Sequence, residues 1–469
     1  MRTFVRGLVR VLPAILAVAV GGAALTRVVD GVSDPAAAES GLTTHLATPV
    51  LSARRVVEEL AQPVGEARLA AALQPIAASL TGSSCLRVTV DGEQIVDVHG
   101  DTPLIPASTM KLLTASVALD VLGADHKYTT SVQAAAAPVG GVVTGDVWLV
   151  GGGDPLLATH DYLGLFRHPP DPVTPLESLA DNIVAAGITQ ISGRIVGDES
   201  RYDAERYVPS WPKRYISAPE IGPMSALSVN DGFMSNNSFH AAANPAESGA
   251  QTLADLLIAR GVTVGGVGSG VTPSGTVQIA SIDGAPLPDV IGEDLRLSDN
   301  GTAELLLKEI GYESSGAGST AAGTAAVASH LKDEGMPVDG FMMIDGSGLD
   351  RGNRATCNLL TSVLDRAGPH ADLTSNLSVA GETGTLERRF ANTAVAGKVR
   401  AKTGTLTGVA GLAGFAQATD GTEVTFALLL NGDQSTQAFG IWMSLLTTLL
   451  AYPDVTGLAD LGPLPPTGG

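Results

Sequence analysis

Three shortages narrow what this chain can be. Aromatic residues make up only 4% of it, so its core has to be built from aliphatic side chains. Lysine and arginine together number 28 against 48 acidic residues, a net charge of −20, and no basic cluster follows the N-terminus. Such a surface is a poor match for nucleic acid, which demands a basic footprint. There are two cysteines, Cys85 and Cys357. An exported chain permits a bridge between them, and two buried thiols are equally compatible with the sequence. No His-Glu-x-x-His occurs and the histidines are scattered, so the sequence implies no metal site and no cofactor. Gly-x-Ser-x-Gly, the turn that carries the serine of α/β-hydrolases, is also missing.

Long apolar runs are scarce as well. Arg2, Arg6 and Arg10 precede an apolar stretch from Val11 to Leu25 that is short for a membrane span and interrupted by Pro13 and Gly21-Gly22. A basic segment followed by a short apolar one reads as an export signal, either cleaved near Ala23-Ala24 or kept as an anchor. Residues 1–29 are assigned to it, which places the protein in the cell envelope outside the cytoplasmic membrane, secreted or N-terminally anchored. Residues 30–51, rich in Ala, Pro, Ser and Thr, read as a linker. The end of the chain, 456–469, contains Leu464-Pro465-Pro466-Thr467-Gly468 without the hydrophobic stretch and basic tail of a wall-sorting signal, and is expected to be disordered.

Between these ends the texture changes twice. A helical stretch from Ser52 to about Ser79 leads to two β-branched runs, Cys85–Val90 and Glu93–Val98, joined by Asp91-Gly92, a strong hairpin signal. From 126 to 290 the chain is Gly- and Val-rich, with short strand-like pieces at Gly145–Val150 and Gly193–Asp198 and helical pieces at Glu177–Ala186 and Gln251–Arg260. This reads as an inserted smaller α/β domain, with a tight turn at Gly151-Gly152-Gly153-Asp154-Pro155. Helical patterns return at Ala303–Ile310 and Gly323–Lys332. Three strands then follow around Val399–Thr403, Val409–Ala416 and Val424–Leu430, before an apolar helix at Ile441–Leu450. The pattern predicts a multi-domain α/β protein. Its main domain, residues 52–125 and 291–455, is an antiparallel sheet flanked by helices, in which the N-terminal hairpin completes the C-terminal meander.

The chemistry is expected to centre on Pro106-Ala107-Ser108-Thr109-Met110-Lys111 and the apolar run after it. A helix starting near Ser108 would be apolar all round and hence buried. Ser108 and Lys111 would share one face, one turn apart. A buried lysine with a lowered pKa accepts a proton from a serine, so Ser-x-x-Lys is a nucleophile–base pair. The same spacing recurs at Ser210/Lys213 and Ser329/Lys332, but neither has an apolar helix behind it. Ser298-Asp299-Asn300 is expected to open a helix as its cap. Lys402-Thr403-Gly404-Thr405 carries the chain's one Lys-Thr-Gly, on a strand expected at an inner edge, with Gly408 allowing close backbone approach. Glu382-Thr383-Gly384-Thr385 copies that spacing with the wrong charge for gripping an anion.

Ser-x-x-Lys, Ser-x-Asn and Lys-Thr-Gly in this order resemble the triple of penicillin-recognising serine acyltransferases. The long stretch between the first two motifs is similar to the class C low-molecular-mass penicillin-binding proteins, the D-alanyl-D-alanine carboxypeptidase/endopeptidase family, of actinobacterial type. The resemblance extends from about Thr48 to Tyr452. It includes Pro49–Arg55, Gly151–Pro155, Asp345-Gly346-Ser347-Gly348-Leu349, Val379-Ala380-Gly381 and Gly384-Thr385-Leu386. It implies a β-lactamase-like, transpeptidase-type main domain, with an insertion shorter than in the largest members. No Glu-x-x-Leu-Asn appears in the insertion, which disfavours a β-lactamase.

The implied substrates are peptidoglycan stem peptides, with β-lactams as inhibitors. By the resemblance, Ser108 is the nucleophile and Lys111 its base, with a pKa lowered because Lys402 lies nearby. The backbone N–H groups of Ser108 and Thr405 form the oxyanion hole. Ser298 relays a proton to the leaving amine with help from Lys402, and Asn300 holds the peptide backbone. Lys402, Thr403, Gly404 and Thr405 bind the terminal carboxylate. Asp154 and Arg351 are candidates for gripping the zwitterionic end of a diaminopimelate side chain, next to Asp350 where the family often has serine. The rival outside catalysis is a β-lactam- or wall-peptide-sensing protein that keeps the pocket without turnover.

Overall fold

A computed structural model of the chain describes residues 53–453 apart from 167–168, 219, 235–238 and 370. The expected export signal or anchor at 1–29, the linker at 30–51 and the tail at 456–469 lie outside the described residues, as does most of Pro49–Arg55. No helix among the described residues is long and apolar enough to cross a membrane.

The central element is a six-stranded antiparallel sheet. Its spatial order is Ser378–Val379, Val399–Leu406, Val409–Gln417, Glu423–Asn431, Ser84–Val90 and Glu93–Val98. The N-terminal hairpin does close onto the C-terminal meander, with Ser84 opposite Leu430 and Val90 opposite Val424. Asp91 and Gly92 both take positive φ (50° and 76°), the requirement of a two-residue hairpin turn that follows the strand twist.

Both faces of this sheet are covered, so its central strands Val409–Gln417 and Glu423–Asn431 are buried along nearly their whole length rather than on alternate residues. Ala427 and Leu429 face one way, against Leu112, Leu113, Leu360 and Leu364 of the helices Lys111–Leu122 and Cys357–Ala367. Phe426, Leu428 and Leu430 face the other way, against Leu69 and Leu73 of the helix Ala53–Ser79 and Leu445 and Leu446 of the helix Ala438–Leu450. Each fully buried aliphatic side chain in these layers stabilises the fold by about 1.5–3 kcal/mol. Cys85, on a central strand, forms a disulfide with Cys357 at the start of the Cys357–Ala367 helix, which settles the alternative the sequence left open.

Lys127–Ala134 and Val277–Pro286 leave and re-enter the main body as an antiparallel pair. They edge a second sheet in which Val147–Val150, Gln190–Asp198 and Thr263–Ser269 run parallel. Helices Leu176–Ala185 and Pro245–Ala259 pack on it around Leu179, Ile183, Ile195 and Leu253. Gly151 to Gly153 do not form the expected turn. A Cβ on Gly151 would lie 2.3 Å from the Ala226 carbonyl oxygen and one on Gly152 2.2 Å from that of Thr129, so these positions are small because backbones touch there.

Two long helices went unrecognised in the sequence, Leu287–Leu297 and Cys357–Ala367, as did the short His160–Leu163 and Lys213–Ser217. Ser298 does not cap the helix that follows it. It ends the Leu287–Leu297 helix in a left-handed conformation (φ 63°, ψ 39°), and Asp299 is the cap of Asn300–Ser315, its carboxylate accepting from Thr302 N–H at 2.6 Å.

The disulfide closes a loop spanning 272 residues of sequence separation between a central strand and a helix on its face. Replacing both cysteines with serine is expected to lower the unfolding free energy by about 2–4 kcal/mol in denaturant titrations, with the fold retained.

Candidate active site

Ser108 lies in a 3₁₀ turn, Ala107–Met110, that feeds directly into the helix Lys111–Leu122. The turn is seated between two glycines. A Cβ on Gly348 would stand 2.0 Å from the Ala107 carbonyl oxygen, and one on Gly404 2.5 Å from that of Pro106. Ala107 itself is held at φ 48°, an unfavourable region for a residue with a side chain, which the surrounding contacts maintain. Gly404, not Gly408, provides the close approach: Gly408 has open space around it and supplies the positive φ of the Thr407-Gly408 hairpin turn.

Lys111 has no exposed surface. Its Nζ donates to Asn300 Oδ1 and to the Ser347 carbonyl oxygen, both at 2.8 Å, and lies 3.4 Å from Ser108 Oγ. A neutral amine has two N–H donors and one lone pair. With both donors engaged by acceptors of fixed position, the remaining site faces the serine. Burial lowers the pKa of Lys111, while Asp294, Asp299, Glu304 and Asp345 act to raise it. The direction agrees with the expectation from the sequence, but the leading cause is desolvation rather than Lys402.

The Ser347 carbonyl is aimed by a buried carboxylate network absent from the sequence reading. Asp345 accepts from Gly348 N–H and Asn353 Nδ2 on one oxygen, and from Trp211 Nε1 and Asp350 N–H on the other. Glu304 accepts from Ser347 N–H at 2.8 Å, and burial raises its pKa to about 8. The signal for this network was the Asp345–Leu349 segment, noted only as a likeness.

Ser298 and Lys402 form a second pair, with Lys402 Nζ donating to Ser298 Oγ at 2.7 Å. Lys402 is fully buried; its pKa is pushed well down by burial first and by Lys111 second. Its strand pairs with Ser378–Val379 only as far as Ala401, so from Lys402 onward the outer edge is left to the cleft. Thr403 donates to Thr385 Oγ1 at 3.0 Å, which brings into the site the Glu-Thr-Gly-Thr segment set aside as a copy of the third motif. Ser108, Ser298, Asn300, Thr385, Thr403 and Thr405 line one cavity of about 410 Å³, together with Arg389 and Glu220, neither of which the sequence had singled out. Both ends of the Asn300 amide are engaged within the protein, since its Nδ2 donates to the Glu220 carbonyl oxygen at 2.8 Å.

Neither residue expected to grip a zwitterion is among those lining this cavity. Asp154 is 2% exposed, accepts from Leu156 N–H, has its pKa raised to about 6 by burial, and does not line the cavity. Arg351 is exposed at the rim and donates to the carbonyl oxygen of Thr407, which does line it. Asp350 accepts from Ser210 Oγ and from Gly352 N–H, so its charge and the first decoy serine satisfy each other.

The family model described as D-Ala-D-Ala carboxypeptidase 3 (S13) matches residues 67–240 and 234–447. The chain belongs to this S13 family. Among its relatives, the D-alanyl-D-alanine carboxypeptidase of Actinomadura sp. (strain R39) is 30% identical over 445 residues, covering 78% of this chain and 80% of that one. The S13 chain also shares its fold with penicillin binding protein 4 (dacB) from Haemophilus influenzae. That structure gives a TM-score of 0.69 at 21% identity and covers 81% of this chain and 99% of its own. The Haemophilus protein has also been solved complexed with a β-lactam. A peptidoglycan endopeptidase from Bdellovibrio bacteriovorus matches with a TM-score of 0.50 at 19% identity, over 78% of this chain and 92% of its own.

The seat of the Ser108 turn is open to test. Gly348→Ala combines a strained φ of 84° with a backbone clash and is expected to slow acylation by a fluorescent penicillin by about 10²-fold. Gly335→Ala, also at positive φ (70°) but with open space around it, should leave the rate near wild type.

Proposed function

We propose that the chain is a serine-type D-Ala-D-Ala carboxypeptidase that acts on peptidoglycan stem peptides and is acylated by β-lactams at Ser108. The observation that carries this is the buried Lys111 amine, with two fixed acceptors and its third position toward Ser108 Oγ at 3.4 Å.

Lys111 takes the Ser108 proton as Oγ attacks the carbonyl carbon of the penultimate D-Ala. The Ser108 and Thr405 N–H groups stabilise the oxyanion, a contribution of several kcal/mol in such sites. As the C–N bond breaks, a proton passes through Ser298, backed by Lys402, to the leaving amine. Water then attacks the ester and restores Ser108. Lys402, with Thr403 and Thr405, supplies the charge and hydroxyl donors for the terminal carboxylate. Asn300, tied to both Lys111 and Glu220, positions the base.

The division into a catalytic body (52–125 and 291–455) and an inserted domain (126–290) belongs to the same proposal, supported by two separate sheets with separate apolar clusters. A wall-peptide substrate also fits export, or membrane attachment through the basic and apolar N-terminal segment.

Release of D-Ala from a diaminopimelate-containing pentapeptide is the direct test. Wild type should release it, Ser108→Ala should reduce release to background, and labelled penicillin should attach to wild type alone. Absence of both release and labelling in folded wild type would sink the assignment. The pH dependence carries its own sign. Acylation needs the Lys111 free amine, and burial brings deprotonation to a lower pH than for an exposed lysine. The acylation rate should therefore rise by about tenfold per pH unit on its acid limb and then level off. Lys111→Arg, whose guanidinium keeps its proton, should abolish acylation throughout.

A further inference from the structure

The Ser298-Asp299-Asn300 turn is shared between two cavities. Ser298 and Asn300 line the catalytic one, while Leu297, Asp299 and Thr302 line another, of about 240 Å³, that no step of the mechanism uses. The apolar wall of this second space includes Tyr162 and Phe166, whose rings meet edge to face with centroids 5.1 Å apart. Its charged residues are all acids: Asp231, Glu293 and Asp299 line it, and no lysine, arginine or histidine does. Two of these carboxylates have partners. Asp299 accepts from Thr302 N–H at 2.6 Å as the cap of its helix, and Asp231 accepts from the Tyr162 hydroxyl at 2.7 Å. Glu293 is different. It is 3% exposed, and its Oε2 is buried with no hydrogen-bond partner. Arg296, the cation whose charge reaches it, is committed to the Asp171 carbonyl oxygen at 2.7 Å.

An acid buried among acids without a partner is costly, and it calls for a group of opposite charge to meet it. Burial first, and then Asp299, Asp294 and Asp231, hold the Glu293 carboxyl well above the usual carboxylate range. A cation brought against it would remove both the repulsion and the missing hydrogen bond. The chemistry of the lining says which kind of cation. No three His, Cys, Asp or Glu among the described residues converge to hold a metal ion. The carboxylates are instead set around an apolar space walled by aromatic rings, surroundings that favour an ammonium group on an apolar body. We propose that this cavity binds a small organic ammonium, its cationic head held by Glu293 with Asp231 and Asp299 and its apolar body against Tyr162 and Phe166. The site goes beyond the carboxypeptidase reading and does not depend on it.

The test uses benzylammonium and benzyl alcohol, two probes of nearly the same shape that differ in charge. Calorimetric titration into the full chain should show benzylammonium binding, with the alcohol weaker by about tenfold or more. Glu293→Gln keeps the shape of the side chain and removes its charge. It should weaken benzylammonium by about tenfold and leave the alcohol unchanged. Phe166→Ala removes part of the aromatic wall and should weaken both probes. Glu220→Gln, which alters an acid lining the catalytic cavity, should leave benzylammonium binding as in wild type, and so assigns the site to the second cavity. Near-UV circular dichroism and the unfolding midpoint check that each variant is folded. Absence of benzylammonium binding to wild type, or equal binding of the two probes, would overturn the proposal. So would affinity that survives Glu293→Gln or falls with Glu220→Gln. Unchanged affinity for both probes in Phe166→Ala would overturn it as well, whatever the folding of Glu293→Gln.

Discussion

Two lysines buried side by side set the terms for the rest of this structure. Lys111 and Lys402 both lie wholly out of solvent, and each would ordinarily carry a charge that is costly to desolvate. The fold meets that cost in two ways. Their pKa values fall, which for Lys111 makes the free amine accessible, and each Nζ receives fixed acceptors: Asn300 and Ser347 for Lys111, Ser298 and the Thr403 carbonyl for Lys402. The carboxyl of Asp294, buried in the same region, titrates near 7 because desolvation raises its pKa while both lysines act to lower it. A reactive base and a cation for anion binding therefore come from one electrostatic arrangement rather than from separate devices.

Positioning depends on backbone contact as much as on side chains. Gly348 and Gly404 clasp the turn before the nucleophile, and the left-handed Ser298 stops one helix so that Asp299 can start the next. The carboxylates of Asp345 and Glu304 then spend their hydrogen bonds on the Asp345–Leu349 loop, which fixes the carbonyl that holds Lys111. These groups touch no substrate, yet the orientation of the amine follows from them. The sheet makes such precision achievable: it is apolar on both faces and gripped by helices on each, so the edge carrying Lys402 is rigid.

Much of this was legible in the chain. The Asp91-Gly92 hairpin, the terminal meander and the long first helix came directly from short-range patterns, because turn residues and apolar periodicity are local properties. The helices Leu287–Leu297 and Cys357–Ala367 do carry local signals, a proline in the first turn, a threonine cap and an amphipathic pattern, although neither was assigned from the sequence. Thr385 was discounted for its acidic neighbour Glu382, although the hydroxyl, not the charge, is what meets Thr403. Asp154 was a candidate by the resemblance, and the glycines before it were read as a tight turn; backbones touch at Gly151 and Gly152 instead, and Asp154 is buried.

The sequence by itself determined which chemistry was available: a serine three residues before a lysine on an apolar helix, a Ser-Asp-Asn turn and a single Lys-Thr-Gly, in that order. Those are local facts of composition and spacing. Only the tertiary structure decided that Asn300 and Ser347 occupy the two donors of Lys111, that the cysteines pair, and that Asp154 and Arg351 lie outside the lining of the catalytic cavity. Each of these joins residues distant in the chain, and such joins are set by the close packing of sheet, helices and loops, which no local pattern encodes.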